Sequence, residues 1–85
     1  MSFEFHYDTQ PRNFLKHLDS YLVRRLVDKL DSTLIREAIP HDAKPIVGDH
    51  GVYRIRIGEY RALYRINFSE KRIVVVVLDK RWRLF

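Results

Sequence analysis

Phe3, Phe5 and Tyr7 alternate with Ser2, Glu4 and His6, the period-two signature of a half-buried strand. Asp8-Thr9-Gln10-Pro11 follows as a helix start, with a capping carboxylate ahead of a first-turn proline. Phe14, Leu15 and Leu18 give that short helix one apolar stripe, and Asp19-Ser20 offers a second cap. Leu22, Val23, Leu26, Val27, Leu30, Leu34 and Ile35 then recur at three-to-four spacing, predicting a longer helix through about Ala38 that Pro40 stops. On that helix Arg24, Arg25, Asp28, Lys29, Arg36 and Glu37 read as its solvated side. His41 to Gly51 reads as loop, with room for a brief strand at Lys44–Val47. Val52–Ile57 and Tyr60–Phe68 are strands joined by the two-residue connection Gly58-Glu59, and Ser69-Glu70-Lys71 turns the chain again. Ile73–Leu78 is a continuous apolar run, the pattern of a strand in mid-sheet covered on both faces. The elements predict one α+β domain over residues 1–85, a two-layer fold. An N-terminal strand and a helical hairpin pack on an antiparallel or mixed sheet of four to five strands.

Composition narrows the chemistry. There is no cysteine, which excludes disulfides, thiolate metal sites and a cysteine nucleophile. No apolar run approaches the length of a membrane span, and the N-terminus lacks a secretory pattern, so a cytoplasmic protein with no membrane partner is expected. Lys and Arg number 16 against 11 Asp and Glu. Residues 1–51 are nearly neutral, so the positive excess lies in the last 34 residues and is mostly arginine. Guanidinium groups bind phosphate bidentately and keep their charge, which points to a polyanionic partner.

The hairpin sharpens this. A two-residue loop at Gly58-Glu59 sets Ile57 opposite Tyr60, Arg56 opposite Arg61, Ile55 opposite Ala62 and Arg54 opposite Leu63. Alternation sends Arg54, Arg56, Arg61 and Arg65 to one face with no acidic partner among them. Tyr53, Ile55, Ile57, Tyr60, Ala62, Tyr64 and Ile66 go to the other, against the helices. Like charges across a ladder oppose folding, so such a face suits phosphate better than stability. A solvated face of snorkelling arginines is the structural alternative. In the tail, Arg81, Arg83 and Phe85 alternate with Trp82 and Leu84. The aromatics there suit either stacking on unpaired bases or closing the core.

The string from Tyr53 to Tyr64, YRIRIGEYRALY, followed by an apolar strand ending in Lys80-Arg81, resembles the RelE/ParE toxin superfamily. The preceding strand, helical hairpin and proline-containing loop match it in order and length. The resemblance implies helices on one face of a sheet whose first and last strands are neighbours. Its RelE branch implies a toxin that cuts mRNA in the ribosomal decoding site and is neutralised by a wrapping RelB-like antitoxin. DNA contact is implied only through the toxin–antitoxin complex. By that resemblance Arg54, Arg56, Arg61 and Arg81 are the catalytic positions, with Arg65, Lys80, Arg83 and Phe85 as RNA contacts. Phe85 departs from the family, where a tyrosine is common, and two lysines of the RelE type appear here as arginines.

Metal-free RNA cleavage requires the 2′-hydroxyl to lose a proton, the phosphorane charge to be stabilised and the leaving oxygen to gain a proton. The arginines meet the second requirement, but a guanidinium that never deprotonates is a poor base. His41 and His50 precede the arginine strands and read as surface residues, as do His6 and His17. Asp49, Asp79 and Glu59 read as isolated turn acids. No metal-ligand spacing or phosphate-binding glycine loop occurs, so neither a metal nor another cofactor is expected. The expected function is a ribosome-dependent endoribonuclease toxin. A ParE-like gyrase inhibitor, or a catalytically weak relative that only binds antitoxin, remains open.

Overall fold

A computed structural model describes residues 3–80. The elements are β1 (Glu4–Tyr7), α1 (Thr9–Lys16), α2 (Ser20–Arg36), β2 (Lys44–Pro45), β3 (Val52–Ile57), β4 (Tyr60–Asn67) and β5 (Arg72–Lys80). One mixed sheet holds all five strands in the order β1-β5-β4-β3-β2. β1 runs parallel to β5, and the other pairs are antiparallel.

Both helices begin where a carboxylate can satisfy amides left open by the helix geometry. Asp8 accepts from Thr9 N–H at 2.8 Å, and Asp19 accepts from Tyr21 N–H at 3.0 Å. α2 ends at Arg36, ahead of Pro40, because Glu37 is already extended. Its buried stripe is Leu26, Leu30 and Leu34, whereas Leu22 and Ile35 at the flanks face water. That stripe packs against Ile55, Ile57, Ala62, Tyr64, Ile66, Ile73, Val75 and Leu78 from the sheet. The predicted hairpin register holds pair for pair from Ile57–Tyr60 to Arg54–Leu63. Gly58 has φ +60 and Glu59 lies outside the left-handed region, the arrangement of a II′ turn whose twist suits the strands.

β5 departs from expectation in its covering and carries an irregularity besides. It does lie inside the sheet, but only Ile73, Val75 and Leu78 are buried; Val74, Val76 and Val77 are half-covered, because among the described residues no layer packs on the second face. The ladder with β4 also breaks at one point. Tyr64 pairs with Val75 but Leu63 pairs with Val77, leaving Val76 as the extra residue of a bulge. Side chains alternate with period two, so one extra residue reverses every later position. Leu78 thereby turns into the core opposite Ala62, and Asp79 comes to lie opposite Arg61.

Where β1 gives way to α1, the side chain of Gln10 continues its pairing. The Gln10 amide donates to the Leu78 carbonyl at 3.0 Å, and its carbonyl accepts from Leu78 N–H at 2.7 Å. The helix layer is tied to the sheet by two phenols. Tyr64, fully buried, donates to the Ala38 carbonyl at 2.9 Å, and Tyr7 donates to Asp31 at 2.8 Å. Burial pushes both hydroxyls above the ordinary tyrosine range. Burial also raises the Asp31 carboxyl; the Tyr7 bond opposes the rise, and Asp28 adds to it.

Replacing Gln10 with Ala should cost about 1–3 kcal/mol in denaturant unfolding, since both peptide groups of Leu78 lose their partner. Asp31 gives a pH-dependent expectation. A carboxyl whose pKa is higher in the folded chain supports folding at low pH, and that support is lost as pH rises through the folded value. The Asp31→Asn protein keeps an acceptor for Tyr7 and should gain stability relative to the parent at pH 7. In paired thermal melts the gap should close below about pH 4, where the parent carboxyl is protonated in both states.

Candidate nucleic-acid interface

The face of the sheet away from the helices is built in cross-strand rows. Lys44, Arg54, Leu63 and Val77 form one, Arg56, Arg61 and Asp79 a second, and Val52, Arg65 and Val74 a third. Alternation places these side chains together because the same parity that buries Ile55, Ile57, Ala62 and Tyr64 turns their neighbours outward. Arg54, Arg56, Arg61 and Arg65 therefore share one face, as the hairpin pattern requires. Arg56 and Arg65 are exposed, whereas Arg54 and Arg61 are half-buried.

A depression of about 290 Å³ opens on this face, lined by Asp42, Lys44, Arg54, Ile55, Arg56 and Arg61. Three of the four arginines meet there, joined by a lysine from β2. Charged groups lining a concave, partly desolvated surface focus the field that a polyanion meets. Arg65 lies one row away and pairs with Asp49 at 3.7 Å, both side chains about half exposed, so that contact is weak.

The arginine face does carry acids. Asp79 is directly across the ladder from Arg61, Asp49 reaches Arg65, and Asp42 lines the depression. Asp79 is thus a strand residue and not a turn acid. Its position follows from the bulge, which strand parity cannot reveal in advance. Asp42 and Lys44 were missed because their places depend on how the loop after α2 folds back onto the edge of β3. Of the other expected contacts, Lys80 pairs with Tyr60, whose ring packs edge-on against Phe14 on the helix side at 6.0 Å. The structure therefore does not bring Lys80 onto the arginine face. Arg81, Arg83 and Phe85, with Trp82 and Leu84, lie outside the described residues.

The histidines are exposed. His6 contacts Glu4 at 3.3 Å and His17 contacts the Asn13 carbonyl at 2.8 Å. His50 lines a separate depression, of about 230 Å³, with Pro45, Ile46, Asp49, Val52 and Tyr53 and none of the arginines. Among the described residues no helix is long and apolar enough to cross a membrane.

A two-helix layer on one face of a mixed sheet, with its basic groups on the other, has close structural counterparts. The fold is similar to that in a RelBE toxin–antitoxin complex from Mycobacterium tuberculosis, at TM-score 0.81 and 27% identity, over 95% of this chain and 93% of that one. It is similar to the archaeal RelE–RelB complex from Pyrococcus horikoshii, at TM-score 0.75 and 28% identity, over 98% and 99% of the two chains. It also has the fold of the isolated E. coli RelE toxin, at TM-score 0.74 and 20% identity, over 93% and 84%. No curated protein matches the sequence. Residues 6–84 match the family described as ParE toxin of type II toxin–antitoxin system, parDE. The chain belongs to that family and is a toxin of the RelE/ParE superfamily.

The geometry predicts opposed effects on folding and binding. Arg56 faces Arg61 across the ladder, and relieving a like-charge pair is worth a few tenths to about 1 kcal/mol. The Arg56→Thr protein should therefore melt at a higher temperature than the parent. It should elute from immobilised heparin at lower salt, since one cation of the face is gone.

Proposed function

We propose that this toxin is a metal-independent endoribonuclease of the RelE kind, cutting mRNA bound in the ribosome. The observation that carries this reading is the depression in which Arg54, Arg56 and Arg61 meet, all on the sheet face that the helices leave open. Pentavalent phosphorus carries extra negative charge, and preorganised cations aimed at it form the largest contribution to such reactions. Arg54 and Arg56 hold the scissile phosphate, and Arg61 and Arg81 stabilise the charge that develops on it. Arg65, Arg83 and Phe85 bind the flanking RNA; Lys80, turned to the helix side opposite Tyr60, is left out of that set. The ribosome supplies substrate alignment, which relieves so small a protein of building a full substrate cleft.

A RelB-like antitoxin is the proposed partner. Two of the similar structures are toxin–antitoxin complexes. Tyr21, Leu22 and Ile35 leave apolar surface exposed on α2, and an acidic segment that folds on binding would complement the basic face. DNA is contacted only through that complex, and the site of action is the cytoplasm.

A second reading, inhibition of DNA gyrase without RNA cleavage, is favoured by the match to the ParE family and by Phe85 in place of a tyrosine. Incubation with ribosomes programmed with mRNA, and separately with gyrase and supercoiled DNA, distinguishes the two. Under the ribonuclease reading mRNA is cut and gyrase is unaffected. Arg61→Ala and Arg81→Ala should each lower single-turnover cleavage by about two to three orders of magnitude. Neither variant should lose enough thermal stability to account for the lost cleavage, and Phe85→Tyr should raise the rate. Full cleavage by both arginine variants would remove the site assignment.

A further inference from the structure

We propose that Asp42 is the general base of the reaction, taking the proton of the attacking 2′-hydroxyl; this rests on the ribonuclease reading above. The sheet strands supply only cations and one strand-bound acid to the face. A protonated guanidinium or ammonium cannot accept a proton, and Asp79, the strand-bound acid, does not line the depression, so the acceptor is sought in the loop that does. Asp42 is the carboxylate that lines the depression where Arg54, Arg56 and Arg61 converge.

Its segment is held in place from both sides. Upstream, the buried Tyr64 hydroxyl fixes the Ala38 carbonyl at 2.9 Å, and Pro40 is buried. Asp42 then sits in a turn closed through the backbone, with Ala43 N–H donating to the Pro40 carbonyl at 3.0 Å. Downstream, Lys44 enters the sheet opposite Arg54. A backbone bond closes the turn, so the Asp42 side chain is not needed for it, and the residue lines the depression beside Arg54, Arg56 and Arg61.

The step balances with the groups present. The 2′-oxygen bonds to phosphorus as its proton passes to an Asp42 carboxylate oxygen, and the bond from phosphorus to the 5′-oxygen breaks. The departing 5′-oxygen takes a proton from the Lys44 ammonium, which lines the same depression. The products are a 2′,3′-cyclic phosphate and a 5′-hydroxyl. Proton exchange with water restores Asp42 and Lys44.

The opposite role for an acid on a cationic face makes the opposite forecast. If Asp42 merely tempered the positive field, Asp42→Asn would bind RNA more tightly and cleave at least as fast. As the general base, its loss should slow single-turnover cleavage of mRNA on programmed ribosomes by about 10²–10⁴-fold, with co-sedimentation on ribosomes retained. A second substrate separates base from acid: an mRNA with a bridging 5′-sulfur at the cleaved linkage, whose thiolate leaves without a proton. The Asp42→Asn defect should persist on that substrate, while a Lys44→Ala defect should shrink. The inference is overturned if Asp42→Asn cleaves within threefold of the parent, if its defect follows lost ribosome binding or a lowered melting temperature, or if sulfur restores its rate. A parent protein that cuts no mRNA overturns the ribonuclease reading itself, and the role of Asp42 with it.

Discussion

The helices cover one side of the sheet, and everything else in this protein follows from that asymmetry. A strand packed on one face must spend one parity of its residues on the core, where Ile55, Ala62 and Tyr64 leave no room for charge. The other parity is released from packing. Arg54, Arg56, Arg61 and Arg65 occupy positions that the core does not claim, and Arg56 and Arg61, directly opposite each other, repel. In a domain this small, even one such pair is a visible fraction of the total stability. The core must be good enough to carry the face.

The joints between layers show how that is achieved. Three polar side chains, Tyr7, Gln10 and Tyr64, each connect the helical half or its linkers to a partner distant in sequence. Gln10 is the most economical, closing both peptide groups of Leu78 where the neighbouring strand has already turned into helix. The phenol of Tyr64 does double duty. It fills the centre of the core and fixes the segment that leads to the turn at Asp42.

Much of this is legible in the sequence, and the limits have physical causes. The II′ hairpin couples β3 and β4 through two residues, so register and both faces follow from Gly58-Glu59 alone. The helix starts are legible because Asp8 and Asp19 act on amides within two residues of themselves. The bulge at Val76 is different. It lies in an uninterrupted run of valines, where no glycine or polar residue marks it, yet it decides that Asp79 and not Leu78 stands beside Arg61. Asp42 and Lys44 share that opacity. Strand alternation says nothing about a loop, and they reach the basic depression through contacts made by residues far along the chain. The uncovered side of β5 was hidden for a related reason, since an unbroken apolar run reads the same whether one face or two are packed.

The order of strands also has a consequence in time. β5 pairs with β1 on one edge and β4 on the other, so the inner strand that joins the two ends of the sheet follows the other four in the chain. Until residues 72–80 have emerged, β1 has no neighbour, the core lacks Ile73, Val75 and Leu78, and Asp79 is absent from its row. The hairpin of β3 and β4 can form early, but a lone hairpin is marginal in water. A growing chain therefore carries Arg54, Arg56, Arg61 and Arg65 before it carries the strand that completes the sheet beneath them. If the target is a ribosome, the machine that makes this toxin is spared for as long as the strand is still inside it.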